Sequence, residues 1–243
     1  RFYCVSSAIV DEMARVAPVR SARCLKLPNT TDVDRFSPEP DPRTPRARTE
    51  ILYVGRIHPE KGLDVLLRAL PLCRNRQRMF LRLVGPAIES SGGVAAFAER
   101  LRALGGELGL TADEWSLDPP VFNDQALADV YRASDIFVYP SQAVHGEASP
   151  IAPLEAMGCG KPCLVTNLAC FRDTVRDGDN GLVVPSYEPR DWAAAMDRLI
   201  DNPAMLEQMG QRSRILALDF RIDRIAARLE EDLAQLVAAK SAV

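Results

Sequence analysis

The sequence predicts an α/β fold: a parallel, doubly wound sheet with helices on both faces. Three observations carry that expectation. Residues 51–54, 136–139, 163–165 and 182–184 are apolar throughout and 80–84 is apolar but for Arg82, the pattern of strands covered on both faces. Stretches of helical periodicity separate them, and Leu63, Leu66, Leu67 and Leu70 recur at i, i+3, i+4, i+7. The chain has 243 residues, 47% hydrophobic and 26% charged, which suffices for one large domain with appendages.

Residues 1–7 read as the end of a strand and 9–16 as a short helix, with Leu25 to Leu27 leading into PNTTDVDRF. Four prolines among polar neighbours in 38–45 read as a linker. The main body opens with the strand at 51–54 and the leucine-striped helix. The strand at 80–84 ends at Gly85-Pro86. A helix covers 94–108, and a weak strand lies at 115–117. Leu127, Val130 and Tyr131 mark the next helix, followed by the strand at 136–139. Ser149 then reads as a helix cap and Pro150 as the first helical residue, where a missing N–H costs nothing. After the strands at 163–165 and 182–184, Trp192, Ala195, Met196 and Leu199 share one helix face. The last helix places Ile222, Ile225, Ala226, Leu229 and Leu233 on one face and reads as a packing element. The expected organisation is a leader over 1–37, a linker over 38–49, a Rossmann-like domain over 50–218 and a C-terminal helix over 219–243.

The net charge of −3 predicts no nucleic-acid footprint. No apolar run approaches the ~20 residues that span a bilayer, and no signal peptide opens the chain. A start at Arg1 points to a fragment or a processed product. The six cysteines form no Cys-x-x-Cys pair and the chain has two histidines, His58 and His145, which argues against a zinc site. Reduced, mostly buried thiols of a cytosolic protein are expected.

Doubly wound sheets bind ligands outside the carboxyl ends of their strands. The residues just after each strand therefore matter most: Gly55-Arg56, Gly85-Pro86, Pro140-Ser141 and Thr166-Asn167. Two constellations lie there. In the first, Glu147 and Glu155 flank the helix start at Ser149-Pro150. Its free backbone donors, chiefly at Ile151 and Ala152 because Pro153 lacks one, sit where the macrodipole leaves about half a positive charge, and a diphosphate is stabilised there. The two carboxylates would contact different parts of one ligand. A nucleotide sugar has the required anionic and hydroxyl-rich parts.

In the second constellation, Gly55 allows close backbone approach and Arg56 leaves the strand at its carboxyl end. Pro59 opening the next helix would put Lys61 in the first turn, facing the positive end of the dipole at a cost of roughly 0.3–1 kcal/mol. Something should compensate. Arg56 and Lys61 on one rim would form an anion clamp, a planar fork beside a point charge. Two solvated surface cations are the plainer alternative.

The blocks YVGRIHPEKGLDVLLRAL, YRASDIFVYPS, EASPIAPLEAMGCGKPCLVT and RDGDNGLVVP occur in that order. Together they resemble the carboxyl-terminal half of the retaining glycosyltransferases of family 4, which have the two-domain GT-B fold. PNTTDVDRF resembles that family's segment near the interdomain linker, so the resemblance spans residue 1 to about 240. It implies that residues 1–37 hold the tail of an N-terminal domain and the interdomain segment, and that 50–218 binds a nucleotide sugar such as a UDP-, GDP- or ADP-sugar. Arg56 and Lys61 would hold the donor diphosphate, with Gly55 at the turn. Glu147 would contact sugar hydroxyls near the reacting centre, and Glu155 the ribose hydroxyls. The backbone of Ser149, Pro150, Ile151 and Ala152 would approach the phosphates or sugar, and Val121 to Leu127 would lie near the base. Neither metal nor cofactor is implied, because cations and a helix dipole stabilise the leaving diphosphate. The implied partners are a saccharide or lipid-linked acceptor and an N-terminal GT-B domain, in polysaccharide or glycolipid synthesis. The implied location is cytoplasmic, peripheral at the inner face of the membrane in the full-length protein.

The sequence departs from the family pattern at Thr30, Pro120, Pro150, Ala169-Cys170 and Asp173, which bears on donor identity more than on activity. Two rival readings stay open: a binding module without independent catalysis, and a subunit of a split transferase. An exposed apolar face in 1–17 or on the last helix would support the latter. Asp32-Val33-Asp34 mimics a metal-binding Asp-x-Asp motif but sits in a linker-like segment. Asp177-Gly178-Asp179-Asn180-Gly181 reads as a turn. His145 reads as a loop residue that shapes the pocket, with direct donor contact the alternative. Ser141 ends a strand and could touch ligand but lacks a Gly-x-Ser-x-Gly elbow. Tyr131 and Trp192 fit core faces.

Overall fold

A computed structural model describes residues 1–39, 47–144 and 146–241. Most of the expected proline-rich linker, residues 40–46, and His145 lie outside the described residues. The chain begins with β1 (Phe2–Cys4), α1 (Ser7–Val16), the single turn α2 (Pro18–Ser21) and β2 (Cys24–Lys26). Ser6 caps α1 by accepting from the Ile9 amide. β1 and β2 pair in parallel, Phe2 opposite Cys24 and Cys4 opposite Lys26, as a small sheet of their own.

The main body runs β3 (Thr49–Val54), α3 (Leu63–Ala69), β4 (Met79–Val84), α4 (Ala95–Glu107), β5 (Trp115–Asp118) and α5 (Asp124–Ala133). It continues through β6 (Ile136–Tyr139), α6 (Ala152–Gly158), β7 (Cys163–Thr166), β8 (Gly181–Val184), α7 (Pro189–Ile200) and α8 (Pro203–Ala217), and α9 (Ile222–Ser241) closes the chain. Six strands pair in the order β5-β4-β3-β6-β7-β8, all parallel. The chain winds outward from β3 to β5, then returns to the other side of β3 with β6. That reversal makes the junction of β3 and β6 the topological switch point, where doubly wound sheets open a crevice.

The residues explain the sheet. Ile51, Leu52 and Tyr53 of β3 and Ile136, Phe137 and Val138 of β6 are fully buried, as strands covered on both faces must be. The stripe Leu63, Leu66, Leu67 and Leu70 is buried too, each side chain contributing roughly 1.5–3 kcal/mol. Trp192 is fully buried and donates its indole N–H to the Ser186 carbonyl at 3.1 Å. Five of the six cysteines are buried, with Cys24 half-buried. Among the described residues no helix is long and apolar enough to cross a membrane.

Three expectations need correction. α6 starts at Ala152 with Ile151 in the cap position, not at Pro150 with Ser149 as cap. A Ser149 cap would need residue 153 to donate to its carbonyl, and Pro153 has no N–H. The first helical bond runs instead from Glu155 N to Ile151 O at 3.1 Å, and the Ser149 carbonyl accepts from Asn29 Nδ2 at 2.7 Å. Second, Pro59 opens a separate 3-10 turn, Pro59–Lys61, which Gly62 stops at φ 64°, so Lys61 precedes α3 rather than lying in its first turn. Third, the apolar stripe of the last helix is not packed as a whole. Ile225 is buried, while Ile222 is 56% and Leu233 46% exposed.

α9 leans on the leader through one edge of that stripe. Asp232 accepts from Tyr3 Oη at 2.9 Å and pairs with Arg1 at 3.2 Å, and Arg228 donates to the Lys26 carbonyl at 3.1 Å. The leader in turn is tied to the main body by Asp173, which accepts from Lys26 Nζ at 2.8 Å and from the Ser7 amide and hydroxyl at 2.6 Å each. The two chain crossings between these parts lie side by side in a parallel bridge, Thr31 to Arg221. The aspartates of the Asp-x-Asp motif serve them. Asp32 accepts from the amides of Asp34 and Arg35, and Asp34 pairs with Arg221 at 3.2 Å.

Candidate functional site

The switch point is stitched at the backbone. Gln142 N donates to Glu60 O at 2.7 Å, joining the exit of β6 to the turn that follows β3. Gly62 makes this approach feasible, because a Cβ there would lie 2.3 Å from the Pro140 carbonyl oxygen. Thr166 Oγ1 donates to Ser141 O at 2.7 Å, drawing in the exit of β7. Three strand ends thus meet over one spot.

Glu147 is the polar hub there. Its side chain is 7% exposed and that of Lys61 5%, and the two form a buried ion pair. Ser141 Oγ donates to the same Glu147 oxygen at 2.9 Å. The Lys61 ammonium also lies 5.3 Å from the centroid of the Tyr139 ring, a cation–π contact. Burial pushes the Tyr139 phenol pKa up, and the charge of Glu147 adds to it. The compensation expected for Lys61 is therefore a carboxylate. Arg56, which follows β3 directly, is different: its side chain is 45% exposed, donates to Gly92 O at 3.3 Å and lies 3.9 Å from Glu60. The structure brings Lys61 and Glu147 together and leaves Arg56 at the solvent edge, beside Glu60.

Glu155 in α6 is half-buried and accepts from Tyr131 Oη of α5 at 2.8 Å. Burial raises its carboxyl pKa, the Tyr131 hydrogen bond opposes the rise, and the charge of Asp124 adds to it. Glu155 thus meets α5 through Tyr131 in the second half of that helix, whose start Asn123 caps by accepting from Ala126 N at 2.9 Å. Val121 and Leu127, at the same end, are partly buried against the core, whereas Phe122 between them is 77% exposed. At the start of α6, Ile151 is 47% exposed and Ala152 half-buried. Ser149 and Pro150 are half-buried in the preceding loop.

Sequence reasoning placed Ser141 at a strand end where it could touch ligand, but passed over its bond to Glu147, the hydroxyl of Tyr131 and the role of Asn29. The available signal was a polar atom carried on otherwise apolar elements, which demands a buried partner. A cavity of about 550 Å³ lined by Pro38, Pro162, Leu206, Gly210 and Ile215 lies elsewhere, toward the amino-terminal ends of β6 and β7.

The profile of the family described as glycosyl transferases group 1 matches residues 38–215. The chain belongs to this family. The D-inositol 3-phosphate glycosyltransferase of Thermomonospora curvata is 35% identical over 190 residues, covering 74% of this chain and 42% of the relative. The enzyme of the same name from Streptomyces griseus is 32% identical over 239 residues, covering 89% and 50%. The chain spans half or less of the length of these curated relatives. Sucrose-phosphate synthase from Thermosynechococcus elongatus shares the fold at TM-score 0.84 and 26% identity, over 98% of this chain and 58% of that one. HepE from Anabaena, solved with UDP and glucose, shares it at TM-score 0.82 and 19% identity, over 96% and 62%. The six-stranded parallel sheet with helices around it is that of the Rossmann-like domains of GT-B glycosyltransferases.

Proposed function

We propose that this chain is the donor-binding domain of a retaining glycosyltransferase. It binds a nucleotide-diphosphate sugar, and the glycosyl group passes to a hydroxyl of a saccharide or lipid-linked acceptor in polysaccharide or glycolipid synthesis. The observation that carries the reading is the buried Lys61–Glu147 pair at the switch point, with Arg56 on the same strand exit. HepE, which has the same fold, was solved with UDP-glucose, which supports the choice of ligand class.

In this reading Lys61 and Arg56 hold the diphosphate. The Lys61 ammonium has three protons, so it keeps donors for phosphate oxygens while paired with Glu147. Glu147 meets the sugar hydroxyls, Glu155 the ribose hydroxyls, and the segment from Val121 to Leu127 the base, with exposed Phe122 offering a face for stacking. The bond from the anomeric carbon to phosphate breaks as the bond to the acceptor oxygen forms on the same face, and the acceptor proton goes to a phosphate oxygen of the leaving diphosphate. Fixed cations at the developing charge are worth about 10²–10³ in rate each. Neither metal nor cofactor takes part in this scheme. The full-length protein would work in the cytoplasm, peripheral at the inner face of the membrane.

A thermal-shift panel of UDP-, GDP- and ADP-sugars tests this. One of them should raise the melting temperature, because a ligand of the folded state stabilises it; no rise with any of the three overturns the proposal. A second reading, a module that needs a partner N-terminal domain for catalysis, is favoured by apolar side chains left exposed on the leader and α9: Phe2, Tyr3, Val16, Leu233 and Val237. Glycosyl transfer by the isolated chain would rule it out.

A further inference from the structure

Six aromatic side chains beneath the site touch ring to ring, five of them in a row, with Phe171 branching from Tyr139 at 5.9 Å. Phe36 meets Tyr131 with centroids 5.8 Å apart, Tyr131 meets Phe137 at 5.8 Å, Phe137 meets Tyr139 at 6.1 Å, and Tyr139 meets Tyr53 at 5.6 Å. These separations fall within the favourable range for edge and offset stacking. None of the five side chains is more than 5% exposed, so neighbours fix their rotamers.

Each tyrosine in the row meets the site. Tyr131 Oη donates to Glu155 Oε2 at 2.8 Å. The Tyr139 ring lies under the Lys61 ammonium, 5.3 Å from Nζ to centroid. Tyr53 Oη donates to the Arg56 carbonyl at 2.9 Å. Phenylalanine would fill the same volume without bringing a polar atom that must be satisfied when buried. The two hydroxyls and the ring face are accounted for by the residues they hold.

We propose that Tyr131, Tyr139 and Tyr53 are positioning residues of the donor site, one rigid aromatic row that sets Glu155, Lys61 and Arg56 at fixed spacing. Tyr131 serves the ribose end of the donor, while Tyr139 and Tyr53 serve the diphosphate end. The inference rests on the donor-binding reading of the same site. It adds a division of labour: loss of a hydroxyl at one end of the row weakens the grip on that end of the ligand alone.

The test measures binding of UDP, GDP and ADP, and of the free nucleoside of whichever binds most tightly, to the wild type and to Tyr131→Phe, Tyr53→Phe and Glu155→Gln. Calorimetry suits the diphosphates and NMR titration the weaker nucleoside. Tyr131→Phe should weaken both the diphosphate and its nucleoside about tenfold, the scale of one hydrogen bond to a charged group. In a Glu155→Gln background that further loss should vanish, because Tyr131 acts through Glu155. Tyr53→Phe should weaken the diphosphate several-fold and leave the nucleoside unchanged. Removing the Tyr131 hydrogen bond should also move the acid limb of nucleotide affinity to higher pH, since that bond favours ionised Glu155.

Additive losses for Tyr131→Phe and Glu155→Gln, or equal losses of diphosphate and nucleoside in both tyrosine variants, would overturn the row and leave the donor reading standing. A wild type that binds none of the three diphosphates, or an affinity untouched by Glu155→Gln, would overturn both. If Tyr131→Phe does not fold, the diphosphate-to-nucleoside contrast in Tyr53→Phe decides alone.

Discussion

Lys61 and Glu147 stand 86 positions apart in the chain and meet as a buried ion pair where β3 and β6 end. Removing one partner strands the other charge in a poorly solvated site, which costs about 3–5 kcal/mol. Lys61→Ala should therefore lower the urea midpoint markedly and weaken nucleotide-diphosphate binding tenfold or more. Replacing the pair by Lys61→Met with Glu147→Leu should restore most of the stability and none of the binding. A double variant that still binds the nucleotide would remove the pair from the site.

Arg56 makes the opposite prediction for stability. Its side chain is 45% exposed and its contacts are a single carbonyl and a loose pairing with Glu60. Arg56→Ala should leave unfolding free energy within about 0.5 kcal/mol of the wild type. Calorimetry should nevertheless show nucleotide-diphosphate affinity down by an order of magnitude or more. Unchanged affinity would free Arg56 from the clamp.

Glu155 should trade stability for function. Burial raises its folded pKa above the unfolded value. A carboxyl shifted that way costs stability above its folded pKa, and the cost disappears below the unfolded pKa. At pH 7 Glu155→Gln should be as stable as the wild type or more so, while binding nucleotide more weakly. Loss of stability at pH 7 in urea titrations would mean that ionised Glu155 is structurally required.

Glu114 offers the reverse sign, away from the site. The hydrogen bond from Arg76 lowers its pKa to about 2, against burial, with the Thr111 amide and hydroxyl adding bonds of 2.9 and 3.1 Å. A depressed carboxyl contributes stability that is full above its unfolded pKa and is lost as the pH falls through the folded value. The loss should fall between about pH 4.5 and 2 and amount to roughly 1–3 kcal/mol, allowing for solvent around Arg76. Stability measured against pH should show this slope in the wild type and lose it in Glu114→Gln.

Much of the fold was legible because strands buried on both faces have little compositional freedom. The runs at 51–54, 80–84, 136–139, 163–165 and 182–184, apolar except for Arg82, lie within β3, β4, β6, β7 and β8, with ends that differ by at most two residues. The start of α6 was misread from local cap preference, although the sequence held the answer: a Ser149 cap needs a donor that Pro153 lacks. Tyr131 read correctly as core, and it is fully buried. Its hydroxyl's bond to Glu155 was not legible, because the partner comes from another helix.

The sequence by itself determined which segments are buried, where helices and strands alternate, and in what order the charged blocks follow the strands. Periodicity and composition suffice for that, since they record each element's own exposure to water. The tertiary structure alone decided who meets whom. Lys61 finds Glu147 because the sheet reverses at β3 and seats β6 beside it. Part of the α9 stripe stays in solvent because the helix turns Ile225 and Asp232 inward and leans on the leader by that edge. Such pairings depend on strand order and docking angle, long-range quantities that no local pattern encodes.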